Sequence, residues 1–408
     1  MFDIAVTCLV LTALLAYLNH RLIGLPPTIG VMGIALLLSF ALFGLDKLGY
    51  GALRNYEVSL LRSIDFSEVL MQGMLSLLLF AGALHVDLSE LRAYKWQVGI
   101  LAVFGTLAST ALVGFGLWAV LPYVGVALPL SYCLIFGALI SPTDPIAVMG
   151  VLKSAGAPKS LEIVIAGESL FNDGVGVVLF SLMLAMVTSG EAPSAQRGAM
   201  LLLQEGGGGI AFGLVLGYVT YRMLKSIDSY QEEVLITLAA VLGGYALASR
   251  LHVSGPLAMV VVGLIIGNKG RALAMSDKTR EHLDMFWELL DSILNAVLFM
   301  LIGLEVILIE FPSGLALAAV VVIATTLGAR LLSVGAPVVL LGRLFKLPQG
   351  ALRVLTWGGL RGGISVALAL SLPFGPRRDL VLALTYAVVV FSILVQGLTI
   401  GRVVRAGQ

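Results

Sequence analysis

The chain of 408 residues is 59% apolar and only 12% charged, with a mean hydropathy of +1.02 and a formal net charge of +1. A soluble domain carries roughly twice that charged fraction, and a membrane β-barrel alternates over short segments; the composition excludes both and leaves an all-α polytopic membrane protein. A charge this close to neutral gives no reason to expect nucleic acid or another acidic partner.

Thirteen apolar segments follow in order, with cores at 4–19, 27–45, 69–86, 97–121, 129–152, 161–187, 206–224, 233–250, 255–268, 284–305, 314–341, 349–373 and 379–403. Each reads as a membrane helix surrounded by lipid or by other helices. Segment one has the length of a signal-peptide core, but it lacks a basic start and a small-residue cleavage site, so it reads as a retained helix. The connecting loops are short, and residues 1–408 read as one transmembrane domain with no soluble regulatory domain. Cys8 and Cys133 lie in separate apolar runs and read as buried small hydrophobes. No zinc-ligand spacing and no HExxH run occurs, so no resident metal or cofactor is expected.

Segment five is interrupted by SPTDP, Ser141 to Pro145. Each proline removes a backbone donor and disfavours helix at the residue before it. Segment six carries GESLFNDG, Gly167 to Gly174, inside an otherwise oily run. Glu168 and Asn172 are four residues apart, as are Ser169 and Asp173, so these four side chains gather on one side of the helix. Facing lipid, each acid would cost roughly 3 kcal/mol or more; they are expected to face protein or water. In segment seven Gly209, Gly213 and Gly217 suit close helix packing, and the GGGG run at 206–209 follows no strand and is no phosphate cradle.

In segment ten Asp291 and Asn295 are one turn apart and either pack helices or line an inner funnel. Glu305 and Glu310, near the outer end, read as rim charges. Segment eleven holds Arg330, and segment twelve is interrupted by GGLRGG, Gly358 to Gly363, with Arg361 inside it. His20, His85, His252 and His282 fall near predicted interfaces and read as solvated rather than as pH sensors.

Loop charges set an orientation. With the N-terminus outside, Arg21, Arg92, Lys95, Lys153, Lys159, Arg222, Lys225, Lys269, Arg271, Lys278, Arg280, Arg343, Lys346, Arg402 and Arg405 fall in cytoplasmic loops. The outer loops then hold only Lys47, Arg54, Arg62, Arg197, Arg250, Arg377 and Arg378. The bias predicts the N-terminus outside and the C-terminus in the cytoplasm, as an odd helix count requires.

Broken helices at membrane depth survive only inside protein or beside a water-filled cavity, and a pair of them in the two halves of a chain points to a transporter's binding site. Each break here follows an intact segment and precedes another, which suggests two structural halves without a visible sequence repeat. The buried charges can then be assigned. Glu168 is the candidate partner of Arg330, as a strut, because an unpaired buried guanidinium is very costly. Asp144 and Arg361 suit the breaks, where half-helix ends carry partial charges of either sign: Asp144 would offset facing N-termini and Arg361 facing C-termini.

Asp173 is left without a fixed cation. Desolvation favours the neutral form of such a carboxyl, and a monovalent cation beside it favours the ionised form. Competition of cation and proton for one carboxylate then gives exchange without a separate coupling device. A hard cation such as Na⁺ prefers oxygen ligands, which the Thr143 carbonyl, Asp144, the Ser169 hydroxyl and Asp173 would supply. Asn172 either orients Asp173 or holds the neighbouring break.

SPTDP, GESLFNDG, HVSGPLAMVVVGLIIGN (252–268), LLDSILNAVLFMLIGLE (289–305) and GGLRGG occur in that order. The set resembles the NhaP-like sodium/proton exchanger branch of the monovalent cation/proton antiporters, over nearly the whole chain. The resemblance implies a thirteen-helix fold of inverted repeats with crossed, unwound helices five and twelve, and a homodimer in the lipids of a prokaryotic inner membrane. It implies a moving core of 97–187 and 314–405 and a dimerisation scaffold of 1–96 and 205–310. Carried over residue by residue, Asp173 is the exchanged carboxylate, Thr143, Asp144 and Ser169 assist coordination, Glu168 and Arg330 form the stabilising pair, and Arg361 sits in the twelfth-helix break. The Asn172-Asp173 pair goes with electroneutral one-for-one exchange of Na⁺ or Li⁺ for H⁺.

K⁺/H⁺ exchange on the same fold is the nearest alternative, since ion choice rests on cavity size and ligand number. An intramembrane protease is disfavoured. GESL lacks the second glycine and the deep partner histidine of a rhomboid-type serine site, and no GxGD run surrounds a second aspartate. A passive cation channel would need no proton-binding carboxylate.

Overall fold

The computed structural model describes residues 2–48, 73–189, 195–306 and 315–407, which are helical nearly throughout. Arg54, Arg62 and Glu310 lie outside the described residues. In chain order the helices are α1 Phe2–Leu18, α2 Pro27–Lys47, α3 Leu75–Leu84, α4 Lys95–Val124 and α5 in two halves, Leu130–Ile140 and Ile146–Ser154. They continue with α6 Lys159–Ser189, α7 Met200–Leu224, α8 Tyr230–Arg250, α9 Gly255–Leu273 and α10 Asp277–Glu305. The last are α11 Leu315–Leu340, α12 in two halves, Ala351–Trp357 and Gly363–Leu370, and α13 Pro376–Ala406. Among the described residues ten of these helices are long and apolar enough to cross a membrane; α3, α5 and α12 are the shorter ones. The chain is an integral membrane protein of all-α architecture.

Local chemistry sets the boundaries. α9 starts behind Ser254, whose hydroxyl accepts from Leu257 N at 3.4 Å, with Pro256 in its first turn. Ser276 caps α10 in the same way through Thr279 N. Serine at the cap satisfies a backbone donor that the helix leaves free. A short turn, Leu88–Ala93, precedes α4 and is capped by Asp87. Hydrogen bonds from the Ser89 hydroxyl and amide hold the Asp87 carboxyl below its usual range.

Lipid tails are as apolar as leucine, so contact between membrane helices depends on close backbone approach. The α7 stripe supplies it: a Cβ on Gly209 would lie 2.7 Å from the carbonyl O of Ser254, which caps α9, and one on Gly213 2.8 Å from Ala258 O of α9. α9 meets α3 still more closely, and a Cβ on Gly267 would fall 2.1 Å from Leu84 O. α10 meets α2 at Gly303, where a Cβ would be 2.8 Å from Met32 O.

Among the described residues, buried apolar side chains form three clusters. One joins α4, α5, α6, α11, α12 and α13 around Phe136, Phe180 and Leu384. A second joins α3, α7, α8, α9 and α10 around Phe80 and Trp287, whose rings lie 4.5 Å apart. The third links α1, α2 and α10 to α5, α12 and α13. The two interrupted helices thus lie where the first and third clusters adjoin.

Candidate functional site

The two breaks meet and satisfy each other. α5 stops at Ile140 and resumes at Ile146, with Pro142 and Pro145 between; α12 stops at Trp357 and resumes at Gly363. Asp144 N donates to Leu360 O at 2.8 Å, tying one non-helical stretch to the other. Arg361 Nη1 donates to Ser141 O at 2.6 Å and Pro142 O at 2.9 Å, the carbonyls left open where the first half of α5 ends. Its backbone N donates to Ser392 Oγ of α13 at 2.9 Å. Asp144 Oδ1 accepts from Ile146 N at 2.8 Å, at the start of the second half of α5. A cation therefore faces a helix C-terminus and an anion a helix N-terminus, the signs that the peptide dipoles favour.

The α6 cluster divides into three parts. Glu168, 1% exposed, is held bidentately by Arg330 of α11, with Nη1 on Oε1 and Nη2 on Oε2. Arg330 Nη2 also donates to Leu355 O at 3.0 Å, where the first half of α12 ends. Gly359 leaves room for the guanidinium, since a Cβ there would lie 2.5 Å from Arg330 Nε.

Asn172 and Ser169 serve Thr143. Asn172 Oδ1 accepts from Thr143 N at 3.1 Å, Asn172 Nδ2 donates to Thr143 Oγ1 at 2.8 Å, and the Ser169 hydroxyl lies 2.9 Å from Thr143 Oγ1. Of the two roles open to Asn172, the structure has it clamping the α5 break; no hydrogen bond joins it to Asp173. Asp173 is the third part. It is 7% exposed, and among the described residues its carboxyl has no hydrogen-bond or ion-pair partner. It faces a cavity of about 150 Å³, together with Thr143 and Asp144 of the α5 break. Ser169 and Asn172 stand behind Thr143 and do not line the cavity.

Other positions differ from, or add to, the sequence expectations. Glu305 is not a rim charge: it is buried at the end of α10, and its Oε2 accepts from the Tyr386 hydroxyl of α13. Asp291 and Asn295 line the same cavity as Asp173. His20, His85 and His252 are exposed, and His282 stacks on Tyr230 at 4.5 Å. Ser365, one turn into the second half of α12, escaped the sequence reading. It is 1% exposed, lines the cavity, and its hydroxyl has no partner among the described residues. The only signal in the sequence was a lone hydroxyl two residues past GGLRGG.

Gly362 shows how tight the junction is. A Cβ there would sit 2.3 Å from Asp144 Oδ2 and 2.6 Å from its Cβ. Gly362→Ala is expected to push the Asp144 carboxylate out of place, at about 1–3 kcal/mol of strain. Half-saturation by cation should rise while the melting temperature falls only modestly. An unchanged half-saturation would mean that the Asp144 position is immaterial to binding.

Comparison with known proteins gives a consistent picture. A family model described as "Sodium/hydrogen exchanger, transmembrane" matches residues 10–406. The Na⁺/H⁺ antiporter NhaP of Pseudomonas aeruginosa is 56% identical, over 100% of this chain and 98% of that protein. The Na⁺/H⁺ antiporter NhaH of Halobacillus dabanensis is 35% identical over 91% of each. Among solved structures, the sodium proton antiporter MjNhaP1 of Methanocaldococcus jannaschii superposes with a TM-score of 0.76 over 98% of this chain and 96% of that one, at 20% identity.

Proposed function

The chain belongs to the sodium/hydrogen exchanger family, and we propose that it exchanges Na⁺ or Li⁺ for H⁺ across the membrane by alternating access, with cation and proton competing for Asp173. It is a secondary transporter, not an enzyme. The observation that carries the reading is the unpartnered Asp173 carboxyl facing the cavity, while the other buried charges of the crossing are already engaged.

The geometry suits this exchange. Arg330 neutralises Glu168, and Asp144 is turned toward a helix N-terminus, so proton transfer at Asp173 need not disturb the scaffold. An arriving Na⁺ displaces the proton and takes its oxygens from Asp173, Asp144 and Thr143, with Ser169 and Asn172 fixing Thr143. Movement of the core then exposes the ion to the other side, and a proton replaces it there. Asn172 contributes no second carboxylate, which supports a one-for-one, electroneutral stoichiometry. The relatives' names favour Na⁺ over K⁺ as the cation.

In this reading residues 97–187 and 314–405 are the moving core, and 1–96 and 205–310 the scaffold through which two copies associate. The N-terminus lies outside a prokaryotic inner membrane and the C-terminus in the cytoplasm, as the loop charges favour. Purified protein in liposomes with an imposed pH gradient tests the exchange, with Na⁺, Li⁺ and K⁺ added in turn under clamped voltages. Na⁺ and Li⁺ should collapse the gradient at a voltage-independent rate. A preference for K⁺ would overturn the cation assignment, and a voltage-dependent rate the stoichiometry.

A further inference from the structure

Asp291 and Asn295 take no part in the exchange step just described, and their chemistry is unexplained by packing. Asn295 is 2% exposed. Its Nδ2 donates to the Asp291 carbonyl at 2.9 Å, one turn back along α10, and its Oδ1 has no partner among the described residues. A buried acceptor left unmet destabilises the fold, and an apolar side chain at the same position would avoid that cost. Asp291 stands on the same face of α10, four residues away, and has no ion-pair partner among the described residues. Both line the cavity that also receives Asp144 and Asp173.

The cavity wall is electrostatically one-sided. Three carboxylates line it, and neither lysine nor arginine does. A cleft with low-dielectric walls and one sign of charge concentrates counter-ions. A carboxylate and an amide carbonyl are hard oxygen donors of the kind Na⁺ accepts.

We propose that Asp291 and the Asn295 carbonyl oxygen form a receiving subsite on α10, which takes the alkali cation from solvent and hands it to Asp173. The inference rests on the exchange reading above. There α10 belongs to the scaffold, whereas Asp173 travels with the core. The subsite therefore serves only the access state in which the cavity faces solvent, and it lowers half-saturation from that face alone. The subsite makes the transporter asymmetric in apparent affinity although the exchanged carboxyl is the same from both sides.

The test is half-saturation by Na⁺ measured separately from each face of liposomes with oriented protein. Asp291→Asn should raise it about tenfold from the cavity face, the worth of one carboxylate at short range. The opposite face should be unaffected, and the maximal rate should change much less. Asp291→Glu should restore most of the affinity, and Asn295→Leu should reproduce the one-sided shift if the Asp291→Asn protein does not purify. An equal rise from both faces, or a lowered maximal rate with unaltered half-saturation, would overturn the subsite. Unaltered protein that moves no protons with Na⁺ would overturn the exchange reading itself; normal exchange with no shift in either variant would overturn the subsite alone.

Discussion

Asp173→Asn is expected to yield a folded protein that moves no protons when Na⁺ is added. The amide keeps the shape of the side chain but cannot alternate between a neutral and a charged form, which is the whole of the proposed coupling. The substitution strands no partner, because among the described residues the Asp173 carboxyl has none, so α6 should pack as before. In liposomes the recovery of a pH-sensitive dye after Na⁺ addition should fall to that of protein-free vesicles. The purified variant should keep the elution profile and melting temperature of the parent. Na⁺-dependent recovery at the parental rate would remove Asp173 from the exchange.

Glu168→Gln should do the reverse, damaging the fold more than the ion site. Breaking one side of a buried ion pair costs about 3–5 kcal/mol, because the other charge is left uncompensated. Here Arg330 would keep its bond to Leu355 O and one neutral bond to the amide oxygen, but no anion to compensate its charge. The expected signs are a strongly lowered melting temperature and poor yield, with half-saturation by Na⁺ close to that of the parent in whatever protein folds. The double variant Glu168→Leu with Arg330→Met should recover most of the loss, since a well-packed apolar pair of similar volume replaces a buried ion pair at little net cost. Recovery would stay incomplete, as Leu355 O would lose its donor, a deficit of about 1–3 kcal/mol. A stable Glu168→Gln protein with weak Na⁺ binding would instead make Glu168 a ligand.

Both arguments draw on features that were legible in the sequence. Proline and glycine act locally, so SPTDP and GGLRGG marked the places where α5 and α12 lose their helical bonds. The spacing within GESLFNDG by itself gathers four polar groups on one side of α6. What stayed illegible depends on partners far along the chain. Glu305 looked like an end-of-helix charge because Tyr386, which binds it, lies 81 residues on. Ser365 looked like an ordinary helix residue because nothing nearby in sequence signals the cavity it lines. Asn172 had two open roles because both candidate partners, Thr143 and Asp173, were plausible by position, and only the fold chose between them.

The junction between the breaks also bears on how such chains can diverge. The amide of Asp144 depends on the carbonyl of Leu360, and the carbonyls of Ser141 and Pro142 depend on Arg361. Gly362 must stay bare because the carboxylate of Asp144 fills its space. Neither stretch can be transplanted alone. A chimera that grafts the α5 break from a distant homologue while keeping the native α12 break inherits unmet backbone groups and a clash, whereas grafting both together carries the whole set of mutual dependencies across.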